Sequence, residues 1–199
     1  MSEARDRAKS VVDDVARRRA AVEAAGALLV FTGRLEDRRY DLNDHSLAAK
    51  DQVLRVRVYR DARGTRAQLD WKGPTRREDG YKLRDELEAP VADATAVVAI
   101  LGALGYVVTM AVDREVAQYD LDGAMIRFER YPRMDDLVEV EGEPNRIERA
   151  IGILGLPRDG FTSERLLEFA MRFEVRTGTR AALSHDALAG DQRFDMCNG

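Results

Sequence analysis

Strands with charge on one face and aliphatic residues on the other recur along this chain, and that recurrence limits the fold more than any other feature. In Lys82-Leu83-Arg84-Asp85-Glu86-Leu87-Glu88, a period of two sets Lys82, Arg84, Glu86 and Glu88 on one side of a strand and Leu83, Asp85 and Leu87 on the other. One such stretch alone is also what a half-exposed antiparallel strand looks like. The pattern returns, however. Val53 to Arg60 sets Arg55, Arg57 and Tyr59 against Leu54, Val56 and Val58, and after a turn at Ala62-Arg63-Gly64 the segment Arg66 to Lys72 sets Gln68, Asp70 and Lys72 against Ala67, Leu69 and Trp71. Met125 to Tyr131 opposes Arg127 and Glu129 to Ile126 and Phe128, and Leu137 to Glu141 opposes Glu139 and Glu141 to Val138 and Val140. Ala27 to Tyr40 and Tyr106 to Tyr119, the latter carrying Arg114, complete the strand set.

Helical spacing covers the remainder. Ala8, Val11, Val12, Val15 and Val22 predict an amphipathic helix from about Arg5 to Ala25, stopped at Gly26. Asp93 caps a second helix running to Leu104, expected to be the more buried of the two; Pro144 starts a third through Ile147, Ile151 and Leu154; and a fourth covers Ser163 to about Phe173. Arg172-Phe173-Glu174-Val175-Arg176 alternates like an edge strand, but it also continues the apolar series of Leu166, Leu167, Phe169 and Ala170, so the helix is preferred. From Gly178 onward large apolar residues are few and no period holds, which predicts a single domain over 1–177 and a mobile tail over 178–199.

These elements assemble in one economical way. If the apolar stripes of the helices cover the aliphatic strand faces, the charged faces turn toward each other, around water or a ligand, because dry unpaired charge is costly. The expected fold is therefore α+β: a closed or nearly closed antiparallel β-barrel with helices packed on its outer face. Its interior would mix cations (Arg55, Arg57, Lys72, Lys82, Arg84, Arg114, Arg127) with carboxylates (Glu86, Glu88, Glu129, Glu139, Glu141). Arginine forks and a lysine suit phosphate oxygens, and clustered carboxylates suit a hard divalent cation such as Mg2+ or Mn2+. A metal-bound polyphosphate satisfies both sets.

Composition removes other classes. Charged residues make up 34% of the 199 residues, yet the net charge is only -4, so there is no basic field to draw in nucleic acid. No run of eighteen apolar residues occurs and the first thirty residues are charged, so neither a membrane span nor export is expected. The lone Cys197 fits a reducing, cytoplasmic setting, and the isolated His45 and His185 argue against a zinc site or a histidine-assisted nucleophile.

Five pieces in order, Leu54-Arg55-Val56-Arg57, Lys72-Gly73-Pro74, Arg84-Asp85-Glu86-Leu87-Glu88, Arg114 and Val138-Glu139-Val140-Glu141-Gly142, resemble the CYTH group, or triphosphate tunnel metalloenzymes, and within it the class IV adenylate cyclase branch. The resemblance runs from roughly Arg5 to Leu156 and implies a barrel whose tunnel takes a triphosphate. It implies phosphate contacts from Arg55, Arg57, Lys72, Arg84, Arg114 and Arg127, and metal contacts from Glu86, Glu139 and Glu141, with Glu88 and Glu129 as further metal candidates. Mg2+ or Mn2+ is the implied cofactor, and class IV relatives suggest a homodimer. The implied reaction is conversion of ATP to cyclic AMP and pyrophosphate. Hydrolysis of thiamine triphosphate, inorganic tripolyphosphate or a nucleotide is the alternative, and a catalytically degenerate triphosphate binder is a third. No general base is identified. The third reading stems from a departure at the front: the family begins with a strand bearing Glu-x-Glu-x-Lys, whereas this chain is expected to begin directly with the helix that follows it.

Overall fold

The computed structural model describes residues 6–78 and 81–190, so Cys197 and the last part of the tail lie outside the described residues. In chain order the elements are β1 (Asp6–Val11), α1 (Val15–Ala24), β2 (Leu28–Asp41), α2 (Ser46–Ala49), β3 (Val53–Asp61), β4 (Gly64–Lys72), β5 (Arg76–Glu78), β6 (Tyr81–Leu83), β7 (Glu86–Val91), α3 (Ala94–Ala103), β8 (Val107–Leu121), β9 (Ala124–Arg130), β10 (Leu137–Gly142), α4 (Pro144–Leu154), α5 (Leu166–Thr177) and α6 (His185–Ala189). The fold is α+β, with eight strands in one sheet ordered β1-β10-β9-β8-β2-β3-β4-β7 and β5-β6 as a separate ribbon.

The pairing does not close the sheet into a barrel: among the described strands, β1 and β7 are its two edges. Each edge carries a feature that limits further pairing. On β1, Lys9 donates its N–H to the Thr162 carbonyl at 2.8 Å and accepts the Thr162 N–H at 2.9 Å. β7 carries Pro90, which has no N–H to offer a further strand.

Two compact units divide the chain, and their boundaries fall within β2 and β8. The first comprises, among described residues, Arg34–Asp113. Its small apolar cluster joins Tyr40, Val56 and Leu101, with Leu54, Leu69, Val97 and Tyr106 packed around them. Asp93 caps α3 as expected, accepting the Ala96 N–H at 3.0 Å. The burial expected of that helix is not found, because Leu101 is its one buried residue while Val98, Ile100 and Leu104 are exposed. The charged stretch 82–88 is not one strand either. Leu83 ends β6, β7 starts at Glu86, and Arg84 and Asp85 lie in the connection, where Gly73 donates its N–H to the Asp85 carbonyl at 2.8 Å.

The second unit comprises residues 6–33 and 114–190 of the described chain. Its core is built from strict alternation: Ala124, Ile126 and Phe128 of β9, Val138 and Val140 of β10, and Ala117, Tyr119 and Leu121 of β8 face one way. Against them pack Val22 of α1 and Ile147, Ala150, Ile151 and Leu154 of α4, so helices do cover the aliphatic face here. The β8–β9 connection is the two-residue turn Asp122-Gly123, with φ of 51° and 84°; positive φ at both positions matches the right-handed twist of the strands, and glycine meets it without strain.

The chain does not begin with a helix. Residues 6–11 form β1, which pairs antiparallel with β10 from Asp6↔Gly142 to Val11↔Leu137, and the helix starts only after Asp14, whose side chain accepts the Arg17 N–H at 3.0 Å. The cross-strand ladder outweighs the helical spacing of the short aliphatic residues, because Ala8 joins the core beside Val140. Residues 172–176 lie within α5, as preferred from the sequence. After Gly178, Ala181, Ala182 and Leu183 are buried, Ala182 bridges Arg133, and Ser184 caps α6 by accepting the Ala187 N–H.

Ile126, fully buried at the centre of the second unit's core, carries the first prediction. Ile126→Ala should cost about 2–5 kcal/mol in urea denaturation, by lost transfer energy and a residual cavity. Leu104→Ala, at an exposed helix end, should change stability by about 0.5 kcal/mol or less.

Candidate functional site

The alternation that sends valines and isoleucines into the second unit's core sends charge to the opposite face. On β10 that face carries Glu139 and Glu141, on β9 Arg127 and Glu129, and on β1 Arg7 and Lys9. Register makes a row of Lys9, Glu139, Arg127 and Gln118 across four strands. Opposite charges meet along it: Lys9 Nζ lies 2.9 Å from Glu139 Oε2, Arg127 Nη1 donates to Glu139 Oε1 at 3.0 Å, and Arg127 Nε donates to Gln118 Oε1 at 3.3 Å.

Glu129 sits beside this row with its side chain fully buried. Arg114 Nη1 approaches its Oε1 at 3.0 Å, while the Tyr131 hydroxyl donates to Oε2 at 2.6 Å and Lys9 Nζ stands 3.8 Å away. Burial pushes the Glu129 carboxyl toward protonation, but Arg114 and Lys9 outweigh it and hold the group below the usual carboxylate range. Glu139 behaves the same way: burial raises it, and the attraction of Lys9 and Arg127 more than reverses the effect. Glu141 goes the other way, raised by burial against the pull of Arg127 at 3.7 Å, with neighbouring Glu139 adding to the rise. Burial and Glu129 together push the Tyr131 phenol well above its ordinary value, so it remains a donor.

The first unit holds a separate charged cluster on β2, β3, β4 and β7. Arg55 is buried and donates from Nε to Asp70 Oδ2 at 2.7 Å; Arg57 Nε donates to Asp37 Oδ2 at 3.3 Å and stands 3.5 Å from Asp70 Oδ2. Lys72 pairs with Glu86 on the neighbouring strand at 2.5 Å, directly opposite in register. Burial lowers the Lys72 pKa, and Arg55 adds to the lowering against the pull of Glu86. Burial together with the neighbouring Arg57 likewise lowers that of Arg55.

The sequence-derived candidates thus fall into two sets. Arg114, Arg127, Glu129, Glu139 and Glu141 are gathered in the second unit, and Arg55, Arg57, Lys72 and Glu86 in the first. Glu88 lies opposite Asp70 in register and is exposed. Arg84 is not on the charged face: its guanidinium donates to the Gly73 carbonyl at 2.6 Å and to the Asp51 carbonyl, tying two loops together. Lys82 lies in β6, with its side chain outside those described. Sequence reasoning missed Lys9, Tyr131, Asp37 and the role of Asp70. The period-two series Arg7, Lys9, Val11 was a signal for β1; nothing local singled out Tyr131.

The donor set does not fit a divalent cation as it stands. Among the described residues, no group of three or more histidine, cysteine, aspartate or glutamate side chains is placed to hold a metal ion. Instead, both oxygens of Glu139 and both of Glu129 face cations or the Tyr131 hydroxyl.

Glu141 provides a pH test. Its folded pKa lies above its unfolded value, so ionising it costs stability as pH rises through the folded pKa, and the cost is absent below the unfolded value of about 4.3. Glu141→Gln should therefore raise Tm at pH 7, and the gain should vanish as the pH falls below about 4, read by thermal denaturation across a pH series.

Comparison with known proteins follows the same lines. The family model for the CYTH domain matches residues 8–146, well over half of the chain. No curated protein sequence matches it. Among solved structures, the PH1012 protein from Pyrococcus horikoshii superposes with a TM-score of 0.65 at 19% identity, covering 83% of this chain and 98% of that one. A Vibrio parahaemolyticus protein whose name proposes an adenylate cyclase gives 0.70 at 13% identity, covering 85% and 98%. A Hippeastrum protein, named as a proposed adenylyl cyclase and described as having a dominant triphosphatase activity, gives 0.58 at 18% identity, covering 90% and 98%. At these identities the likeness is one of fold, and the family model carries the assignment: the chain belongs to the CYTH domain family.

Proposed function

We propose that this protein recognises the triphosphate group of a nucleotide, of thiamine triphosphate or of free tripolyphosphate. The observation that carries this reading is the pair of buried, mixed-charge strand faces, in which arginine and lysine side chains are already held in place by carboxylates. Such cations are largely desolvated and already oriented by their carboxylates before any ligand arrives, so a phosphate oxygen meets donors in position. Arg127 and Lys9 in the second unit, and Arg55, Arg57 and Lys72 in the first, are the groups assigned to phosphate.

A second reading adds chemistry. Family membership and the names of two of the structural relatives favour it. In cyclisation the ribose hydroxyl attacks the α-phosphorus, loses its proton and pyrophosphate leaves; in hydrolysis water attacks the terminal phosphorus and the remaining diphosphate leaves, giving orthophosphate. Both reactions develop negative charge on the leaving group, which fixed guanidinium and ammonium groups stabilise.

The test is to incubate the pure protein with ATP, thiamine triphosphate or tripolyphosphate, with and without magnesium or manganese, and to identify products by phosphorus NMR. Cyclic AMP with pyrophosphate establishes the cyclase, orthophosphate establishes the triphosphatase, and binding by calorimetry without turnover establishes recognition alone. Absence of binding to all three ligands overturns the proposal. Arg127→Met, checked for folding by circular dichroism, should weaken tripolyphosphate binding by about ten- to hundredfold, the worth of a hydrogen bond to a charged group.

A further inference from the structure

The carboxylates of the second unit already face its own cations, and this bears on what the ligand brings with it. Glu139 has one oxygen on Lys9 at 2.9 Å and the other on Arg127 at 3.0 Å; Glu129 has one oxygen 3.0 Å from Arg114 and accepts from Tyr131 with the other. Glu141 stands 3.7 Å from Arg127. A divalent cation entering this face would compete with Lys9 and Arg127 for the two Glu139 oxygens, which those bases already hold at 2.9 and 3.0 Å.

Strand β1 explains why the balance lies on this side. Its charged face presents Arg7 opposite Glu141 and Lys9 opposite Glu139, so each β10 carboxylate meets a base directly across the ladder. Two acids at these positions would leave the β10 carboxylates crowded and in need of a metal. Two bases meet that need with charges carried by the chain itself. Arg7 is exposed and stands across the ladder from Glu141, where an incoming anion can reach its guanidinium.

Resting on the triphosphate reading above, we propose that the second unit binds its anion without a divalent metal: Lys9, Arg127 and Arg7 take the place of the cation, and Glu139 and Glu129 act as struts that hold the bases in position. The ligand class is the free, metal-stripped polyphosphate anion. Magnesium then acts as a competitor, because it neutralises the charge the bases recognise.

The full-length protein is titrated with sodium tripolyphosphate by calorimetry, once in EDTA and once in excess magnesium or manganese. Binding in EDTA that equals or exceeds binding in metal is the expected result. Binding that appears only with metal, or tightens by about tenfold or more on adding it, overturns the metal-free inference and leaves the triphosphate reading standing. Absence of binding in both conditions defeats the triphosphate reading itself. Arg7→Glu, at an exposed position that does not threaten folding, should weaken binding in EDTA by about tenfold or more and make added magnesium favourable in place of competitive. Unchanged binding in that variant also overturns the inference.

Discussion

The pairing of Lys9 with Glu139, and of Glu139 with Arg127, is the interaction on which the second unit depends. These side chains lie on a face that is almost as dry as the core behind it, and a charge there is tolerated only with a partner in hydrogen-bonding range. The pairing also fixes register. Sliding β1 by one residue along β10 would move Lys9 to the aliphatic side, where Val138 and Val140 are fully buried, and would set Ala8 and Ser10 against Glu139. Hydrophobic burial on one face and ionic pairing on the other therefore select the same alignment.

Stability alone does not account for this arrangement. Replacing a buried ionic network by well-packed apolar residues is commonly neutral or favourable, whereas removing one member is costly. A sheet needing only to fold would be better served by valine and leucine on both faces. What the ionic face supplies is a set of bases whose conformational freedom and much of whose hydration have been given up during folding. The first unit repeats the device with different acids: Asp70 and Asp37 hold Arg55 and Arg57, and Glu86 holds Lys72.

Legibility in the sequence follows the length and purity of each pattern. Arg127 with Glu129, and Glu139 with Glu141, were readable because valines, isoleucine and phenylalanine occupy every intervening position, leaving only period two. Strand β1 was not, because Ala8, Val11, Val12 and Val15 also fit a helical spacing, and only the ladder to β10 distinguishes the two. The stretch 82–88 had a regular pattern but lies across a break at Arg84-Asp85 that serves loop contacts. Residues 181–189 were unreadable for a different reason: their burial involves small alanines and a five-residue helix, too short to show a period. Closure of the sheet could not be read because it turns on edge strands, and edges are settled by backbone partners such as Thr162 that side-chain patterns do not encode.

The opposed pKa shifts of Glu139 and Glu141 follow from their unequal distance to the same cations. The two carboxyls stand on one strand two residues apart, and Glu139, lying between Lys9 and Arg127, takes the larger share of the cationic attraction. Glu141 is left at 3.7 Å from Arg127, and there burial prevails. The pair that sets the register, Lys9 with Glu139, is therefore also the one in which the charged form of the acid is favoured most.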